Sequence, residues 1–216
     1  MSINVDVGSK ITVGLATIAR DKNFLIISDK YHEERFVVDP NSKVNLKPTV
    51  PLNVPSRITG YLMVEFKNPL VVSGEKSYWV NVPYELKVIV NGNTVGYVTP
   101  VNVKYILYGD IVDGIICRYF KSEVYSEAKG DSTVARAMLK FKIKGSKVIR
   151  RIVLPAENVK FYVKDDIYYY EVLEVTSEGK IITVTLTGNP PIKKATMVRD
   201  GEGKLRAHKA SYEMLW

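Results

Sequence analysis

Two side chains in this sequence, His32 and His208, exchange a proton near neutral pH at their ordinary pKa. His32 sits in Asp29-Lys30-Tyr31-His32-Glu33-Glu34, where acidic neighbours would orient an imidazole. His208 lies far along the chain, and two histidines so widely separated make no metal site by spacing. Cys117 is the only cysteine, which rules out an intrachain disulfide and a cysteine zinc site. Its apolar neighbours Ile115 and Ile116 point to a buried, inert thiol, and Arg118 would face the other side of a strand. The pairs Glu33-Glu34 and Asp165-Asp166 are adjacent in sequence, so on strands their carboxylates diverge, the wrong geometry for joint acid and base work. Gly201-Glu202-Gly203 lacks the third glycine and the helix of a phosphate-binding fingerprint. These residues predict no catalytic group, no metal ligand and no cofactor.

Charge is more informative. The net charge is +8; residues 1–110 carry 12 basic and 10 acidic side chains, and residues 111–216 carry 19 and 13. Between Ser132 and Ala156 stand Arg136, Lys140, Lys142, Lys144, Lys147, Arg150 and Arg151, with no acidic residue among them. On a strand, Arg136, Lys140, Lys142 and Lys144 share one face, and on a helix Arg136, Lys140, Lys144 and Lys147 form a stripe. A two-residue turn at Gly145-Ser146 would set Lys147 opposite Lys144 and Arg151 opposite Lys140. Such a strip fits contact with a polyanion, whether nucleic acid, an anionic membrane surface or an acidic protein. It equally fits a solvated face, an edge strand on which lysine discourages pairing, or a face neutralised by carboxylates such as Asp165 and Asp166.

The elements that would position these residues are strands. The chain holds 30 Val and 18 Ile against 14 Leu and 9 Ala, with 14 Tyr, and β-branched and aromatic side chains fit a pleated surface better than a helix. Strand-like runs bounded by turn residues recur from Lys10 to Arg206. The clearest hairpin is Tyr84 to Val98, turning at Asn91-Gly92-Asn93; a second turn is expected at Ser73-Gly74-Glu75. Asp131 to Lys144 fits strand or helix, with strand favoured. Tyr168, Tyr169 and Tyr170 are consecutive, so on a strand they point to alternating sides and at least one is expected to be exposed. Lys209 to Leu215 reads as a short helical turn. The fold class expected is mainly β, with antiparallel sandwich or barrel-like sheets, two packed β units and little helix. Residues 1–125 would form a β domain with a Pro-rich surface loop at 39–56, and residues 126–216 a smaller β domain bearing the basic strip. One continuous domain is the alternative.

Absence of Gln, a single Cys and abundant Lys, Ile and Val resemble hyperthermophile usage. The N-terminus has neither the basic nor the apolar region of a signal peptide, and no uncharged run is long enough to span a bilayer, so a cytoplasmic protein is expected.

The segment Tyr105-Ile-Leu-Tyr108-Gly109-Asp110-Ile111-Val112-Asp113-Gly114-Ile-Ile-Cys117-Arg118-Tyr119, continuing to Tyr125, resembles the signature of an archaeal family of about this length with no assigned function. The resemblance implies an archaeal host and a mainly β fold, and it brings no catalytic residue. Within the segment, a bend between the two glycines would carry Asp113 toward Arg118, making either a small ligand site or a buried ionic contact in a bulged strand.

Three functions remain open. The first is a non-enzymatic binding or assembly module that uses sheet edges or the strip Arg136 to Arg151, with an anionic macromolecule, a protein or a second copy as partner. The second is a nucleic-acid-binding protein using that strip with tyrosine stacking. The third is a carbohydrate hydrolase with carboxylates gathered from separate strands.

Overall fold

The computed structural model describes residues 3–30, 33–51, 60–102, 104–130, 135–156, 158–178, 181–199 and 207–211, and these form strands, turns and no helix. In chain order the strands begin with Ile3–Asn4 (β1), Lys10–Val13 (β2), Ala16–Arg20 (β3), Phe24–Ser28 (β4), Glu33–Val37 (β5), Val44–Thr49 (β6) and Tyr61–Val72 (β7). They continue with Glu75–Pro83 (β8), Glu85–Val90 (β9), Asn93–Val98 (β10), Lys104–Tyr108 (β11), Ile115–Ser122 (β12), Val124–Tyr125 (β13) and Arg136–Lys144 (β14). The last are Lys147–Pro155 (β15), Phe161–Lys164 (β16), Ile167–Tyr170 (β17), Leu173–Glu178 (β18), Ile181–Leu186 (β19), Thr196–Arg199 (β20) and Ala207–Ser211 (β21). Among the described residues no helix is long and apolar enough to cross a membrane.

The chain forms two compact units, each drawn from separate stretches: Met1–Pro51, Pro83–Asn102 and Ser132–Ala135 in one, Leu52–Val82, Val103–Asp131 and Arg136–Trp216 in the other. The first unit holds two four-stranded sheets, β1-β6-β9-β10 and β2-β3-β4-β5. Their inward rows, Ala16 and Ile18 on β3, Leu25 and Ile27 on β4, and Leu86 and Val88 on β9, are buried at strand spacing. The expected hairpin is present: β9 and β10 pair antiparallel, and Asn91 and Gly92 both take positive φ, 49° and 87°, as the tight primed turn demands. Gly14 makes the β2–β3 turn at φ 56°, where an added Cβ would lie 2.3 Å from the Pro100 carbonyl oxygen. Only glycine fits there.

Two expectations are corrected in this unit and at the chain end. Within the Pro-rich stretch 39–56, expected as a surface loop, residues Val44–Thr49 are a strand with Val44, Leu46 and Pro48 buried; residues 52–56 lie outside those described. Proline is tolerated because β1 pairs only with Asn45 and Leu46, so the missing Pro48 N–H interrupts no ladder on that side. The helical turn expected from Lys209 is instead the strand β21, paired with β19, with 212–215 outside the described residues.

The second unit holds sheet C, ordered β11-β12-β7-β15, and sheet D, ordered β20-β16-β17-β14-β18-β19-β21, with β8 joined to β14 and to β13. Neither expected turn at Gly74 nor at Gly145-Ser146 closes a hairpin. β7 and β15 pair in sheet C, whereas their continuations β8 and β14 pair in sheet D. The two strands therefore change sheets together, and the Gly145 N–H donates to the Gly74 carbonyl at 3.1 Å where they do so. Both glycines hold positive φ, 78° and 131°. They form a corner between sheets rather than two turns.

Candidate binding surface

The basic strip divides at that corner. On β14 the odd positions Ala137, Leu139, Phe141 and Ile143 are buried, which sends Arg136, Lys140, Lys142 and Lys144 to the other face, as alternation requires. β14 is a central strand, flanked by β8 on one side and by β17 and β18 on the other, so its lysines do not guard an edge. Lys142 stands beside Glu174 in the ladder, and Lys142 and Lys144 line a shallow groove of about 200 Å³ with Glu75, Glu174 and Thr176. Lys140 Nζ lies 5.4 Å from the Trp79 ring centre, over the cluster of Trp79, Met138, Tyr162 and Tyr169. Carboxylates are thus interleaved with this half of the strip.

Lys147, Arg150 and Arg151 belong to β15 in sheet C. Lys147 is paired with Val72 and Arg151 with Glu65, not with Lys144 and Lys140 as expected, because β15 never turns back on β14. Arg151 follows a bulge in which Phe66 to Pro69 of β7 face Arg150 alone, and bulges re-aim the side chains beside them.

The ladder of sheet C sets Arg151 within a constellation that spacing along the chain does not reveal. Lys104 pairs with Tyr119, Tyr108 with Ile115, Cys117 with Tyr61, and Lys121 with Glu65, so all of these share one face. Its floor is Met63, Cys117 and Val153, with Tyr61, Tyr108, Ile115 and Tyr119 half-buried against it. Arg151 Cζ lies 5.6 Å from the Tyr108 ring centre, although β15 and β11 are opposite edges of the sheet. In a flat sheet those two positions would be about 14 Å apart across the strands and about 20 Å along them, by register, farther than the two side chains reach, so the sheet coils toward this face, which is concave.

Hydrogen bonding on the face is partly complete. The Tyr119 hydroxyl donates to Glu65 Oε2 at 2.5 Å, and that bond, with burial and the Glu65 charge, pushes the tyrosine up to about 12. At the end of the face Lys67 and Glu123 neutralise each other at 2.6 Å. Arg151 Nε has no hydrogen-bond partner, and among the described residues no ion pair engages Lys104, Lys121 or Arg151. A guanidinium resting on a ring can donate a pair of hydrogen bonds to a phosphate or carboxylate, and Lys104 and Lys121 add positive charge to the same face.

The other candidates carry less. Asp113 is exposed on the turn after β11, its N–H given to Asp110 Oδ1, while Arg118 is buried in the body of β12; the pair is not brought into one small site. The Cys117 thiol is buried, which pushes it up to about 12 and removes it as a nucleophile at neutral pH. Arg118 faces the opposite side of β12 and is buried there at 2% exposure. His32 lies outside the described residues, and His208 sits on β21 opposite Val184. Glu33 and Glu34 are exposed on β5, and Asp165 and Asp166 form the β16–β17 turn at φ 51° and 60°. None of the three consecutive tyrosines is exposed: Tyr169 and Tyr170 are buried and Tyr168 stacks on Phe161 at 5.5 Å, since β17 is covered on both faces. Among the described residues no group of three His, Cys, Asp or Glu could hold a metal ion.

A family model described as "Protein of unknown function (DUF432)" matches residues 7–214. No curated protein and no solved structure matches the chain significantly.

Proposed function

The chain belongs to the DUF432 family of proteins of unknown function, and from that premise we propose that it is a non-enzymatic binding module whose concave face of sheet C contacts an anionic partner. The observation that carries this is Arg151, half-buried over the Tyr108 ring and engaged by no ion pair among the described residues, on a face shared with Lys104 and Lys121. Cations on a face without a matching set of carboxylates attract polyanions, and burial of part of the guanidinium raises the strength of a bidentate contact. On this face Glu65 stands between Lys121 and Arg151 and accepts the Tyr119 hydroxyl; sheet D supports the reading less well, because two carboxylates, Glu75 and Glu174, line the groove with its lysines.

A second reading is favoured by one further observation. Tyr61, Tyr108 and Tyr119 lie on the same face as the three cations, and rings and cations together are what single-stranded nucleic acids use for stacking and backbone contact. Both readings meet one experiment: titration of a fluorescein-labelled oligothymidylate by anisotropy, competed with inorganic polyphosphate. Binding that weakens steeply as salt rises is expected. Equal competition per phosphate by polyphosphate assigns the contact to charge alone, and preference for the oligonucleotide assigns it to stacking. A flat titration at low salt overturns the proposal.

A further inference from the structure

Arg151 does not pair with the carboxylate beside it. Glu65 is its neighbour in the ladder of β15 and β7, yet Glu65 Oε2 accepts the Tyr119 hydroxyl and no ion pair joins Glu65 to Arg151. The guanidinium lies instead over the Tyr108 ring, which belongs to the far edge of the sheet. Register shows what lies beneath that contact. With a shift of two residues at each strand, one diagonal runs from Arg151 on β15 through Met63 on β7 and Cys117 on β12 to Tyr108 on β11. All four side chains share the concave face, so the two ends of the diagonal meet above its middle. Met63 and Cys117 are buried there, with Tyr108 packed against them.

We infer that the Arg151–Tyr108 contact is a clasp that holds sheet C coiled over Met63 and Cys117, and that an anion bound at Arg151 locks it. Tyr108 is then a positioning residue, acting on the anion through the guanidinium it holds. The lock rests on the anion reading above; the clasp does not.

Ring and anion use different parts of one group. A guanidinium offers its flat face to an aromatic ring and its N–H groups, which lie in the plane, to a phosphate or carboxylate. A free arginine side chain loses rotamer freedom when it binds, and one already resting on a ring has lost it before the anion arrives. An anion therefore binds the closed clasp better than the open one. By linkage its binding favours closure to the same degree. Cys117 is the only cysteine, so the rate at which a thiol reagent reaches it reads the clasp directly.

Labelling of the full chain by a soluble aromatic disulfide tests clasp and lock separately. Without ligand, slow labelling that low urea does not accelerate is expected, the mark of local opening rather than unfolding. Arg151→Gln and Tyr108→Leu each remove the clasp and are expected to label about fivefold faster, again without dependence on urea. Tyr108→Phe keeps the ring and is expected to restore the parent rate. Inorganic polyphosphate is expected to slow labelling of the parent and to leave the rate of Arg151→Gln unchanged. By anisotropy competition, Tyr108→Leu is expected to weaken polyphosphate about fivefold at an unchanged salt slope, because no cation is lost, whereas Arg151→Gln lowers the slope by about one. A parent rate that climbs steeply with urea, or parent-like rates in both Arg151→Gln and Tyr108→Leu, overturns the clasp. Polyphosphate that binds without slowing the parent, or binds Tyr108→Leu as tightly as the parent, overturns the lock. Absence of any polyphosphate binding overturns the anion reading and the lock with it, and the ligand-free rates still decide the clasp.

Discussion

Arg20→Met is expected to destabilise the first unit by about 2–4 kcal/mol. The guanidinium is only 6% exposed, and Nη1 donates to the Val5 carbonyl at 2.9 Å while Nη2 donates to those of Pro40 and Ser42 at 3.0 and 2.6 Å. The three acceptors belong to two separate stretches of backbone, so one side chain ties the entry to β2 and the approach to β6 onto the end of β3. Hydrogen bonds from a charged donor are worth about 1.5–3 kcal/mol each, a gross gain of roughly 4–9 kcal/mol. Burying a cation that meets carbonyl dipoles in place of a carboxylate costs several kcal/mol in return, which leaves the net figure. Methionine fills most of the same volume, so the loss reports the hydrogen bonds and not a cavity. For a chain of this size each kcal/mol shifts Tm by about 2–4 °C, giving a fall of roughly 5–15 °C by calorimetry. Arg20→Lys keeps the charge without the fork and is expected to recover less than half of the loss. An Arg20→Met chain that unfolds within about 1 kcal/mol of the parent would refute the reasoning.

The Tyr119–Glu65 contact predicts a stability term that is present below about pH 10, the ordinary tyrosine value, and is lost as pH rises toward about 12, since the fold prefers the neutral phenol. In a tyrosinate absorbance titration, Glu65→Gln is expected to bring one late-titrating tyrosine down toward 10, and a titration unchanged by that variant would count against the bond. Cys117, raised to about 12 by burial, is expected to resist a thiol reagent in the folded chain and to react at once in denaturant. Rapid labelling of the native protein would show that the floor of sheet C is open.

Local features were legible in the sequence where one stretch of chain determines them. The valine, isoleucine and tyrosine bias announced strands, and Asn91-Gly92 announced its turn, because propensity and positive φ act within a few residues. The alternation along Arg136 to Lys144 correctly separated the buried row from the lysines. What failed required knowing partners. Gly145-Ser146 has the composition of a hairpin turn, and only the pairing of β15 with β7 shows that it is a corner. Arg151 was singled out for its charge, yet its neighbours Tyr108, Glu65 and Tyr119 come from three other strands. Arg20 gave no signal at all, since its acceptors are backbone carbonyls that any sequence carries.

Two triple variants test the central claim most directly, each removing three positive charges from the same unit. One carries Lys104→Gln, Lys121→Gln and Arg151→Gln on sheet C; the other carries Lys140→Gln, Lys142→Gln and Lys144→Gln on sheet D. Measured by anisotropy against the same labelled oligothymidylate at low salt, the first is expected to lose binding and to flatten its salt dependence by about three counterions, while the second retains most of both. Equal losses from the two, or a loss confined to the sheet D variant, would contradict the assignment of the contact to the concave face around Arg151.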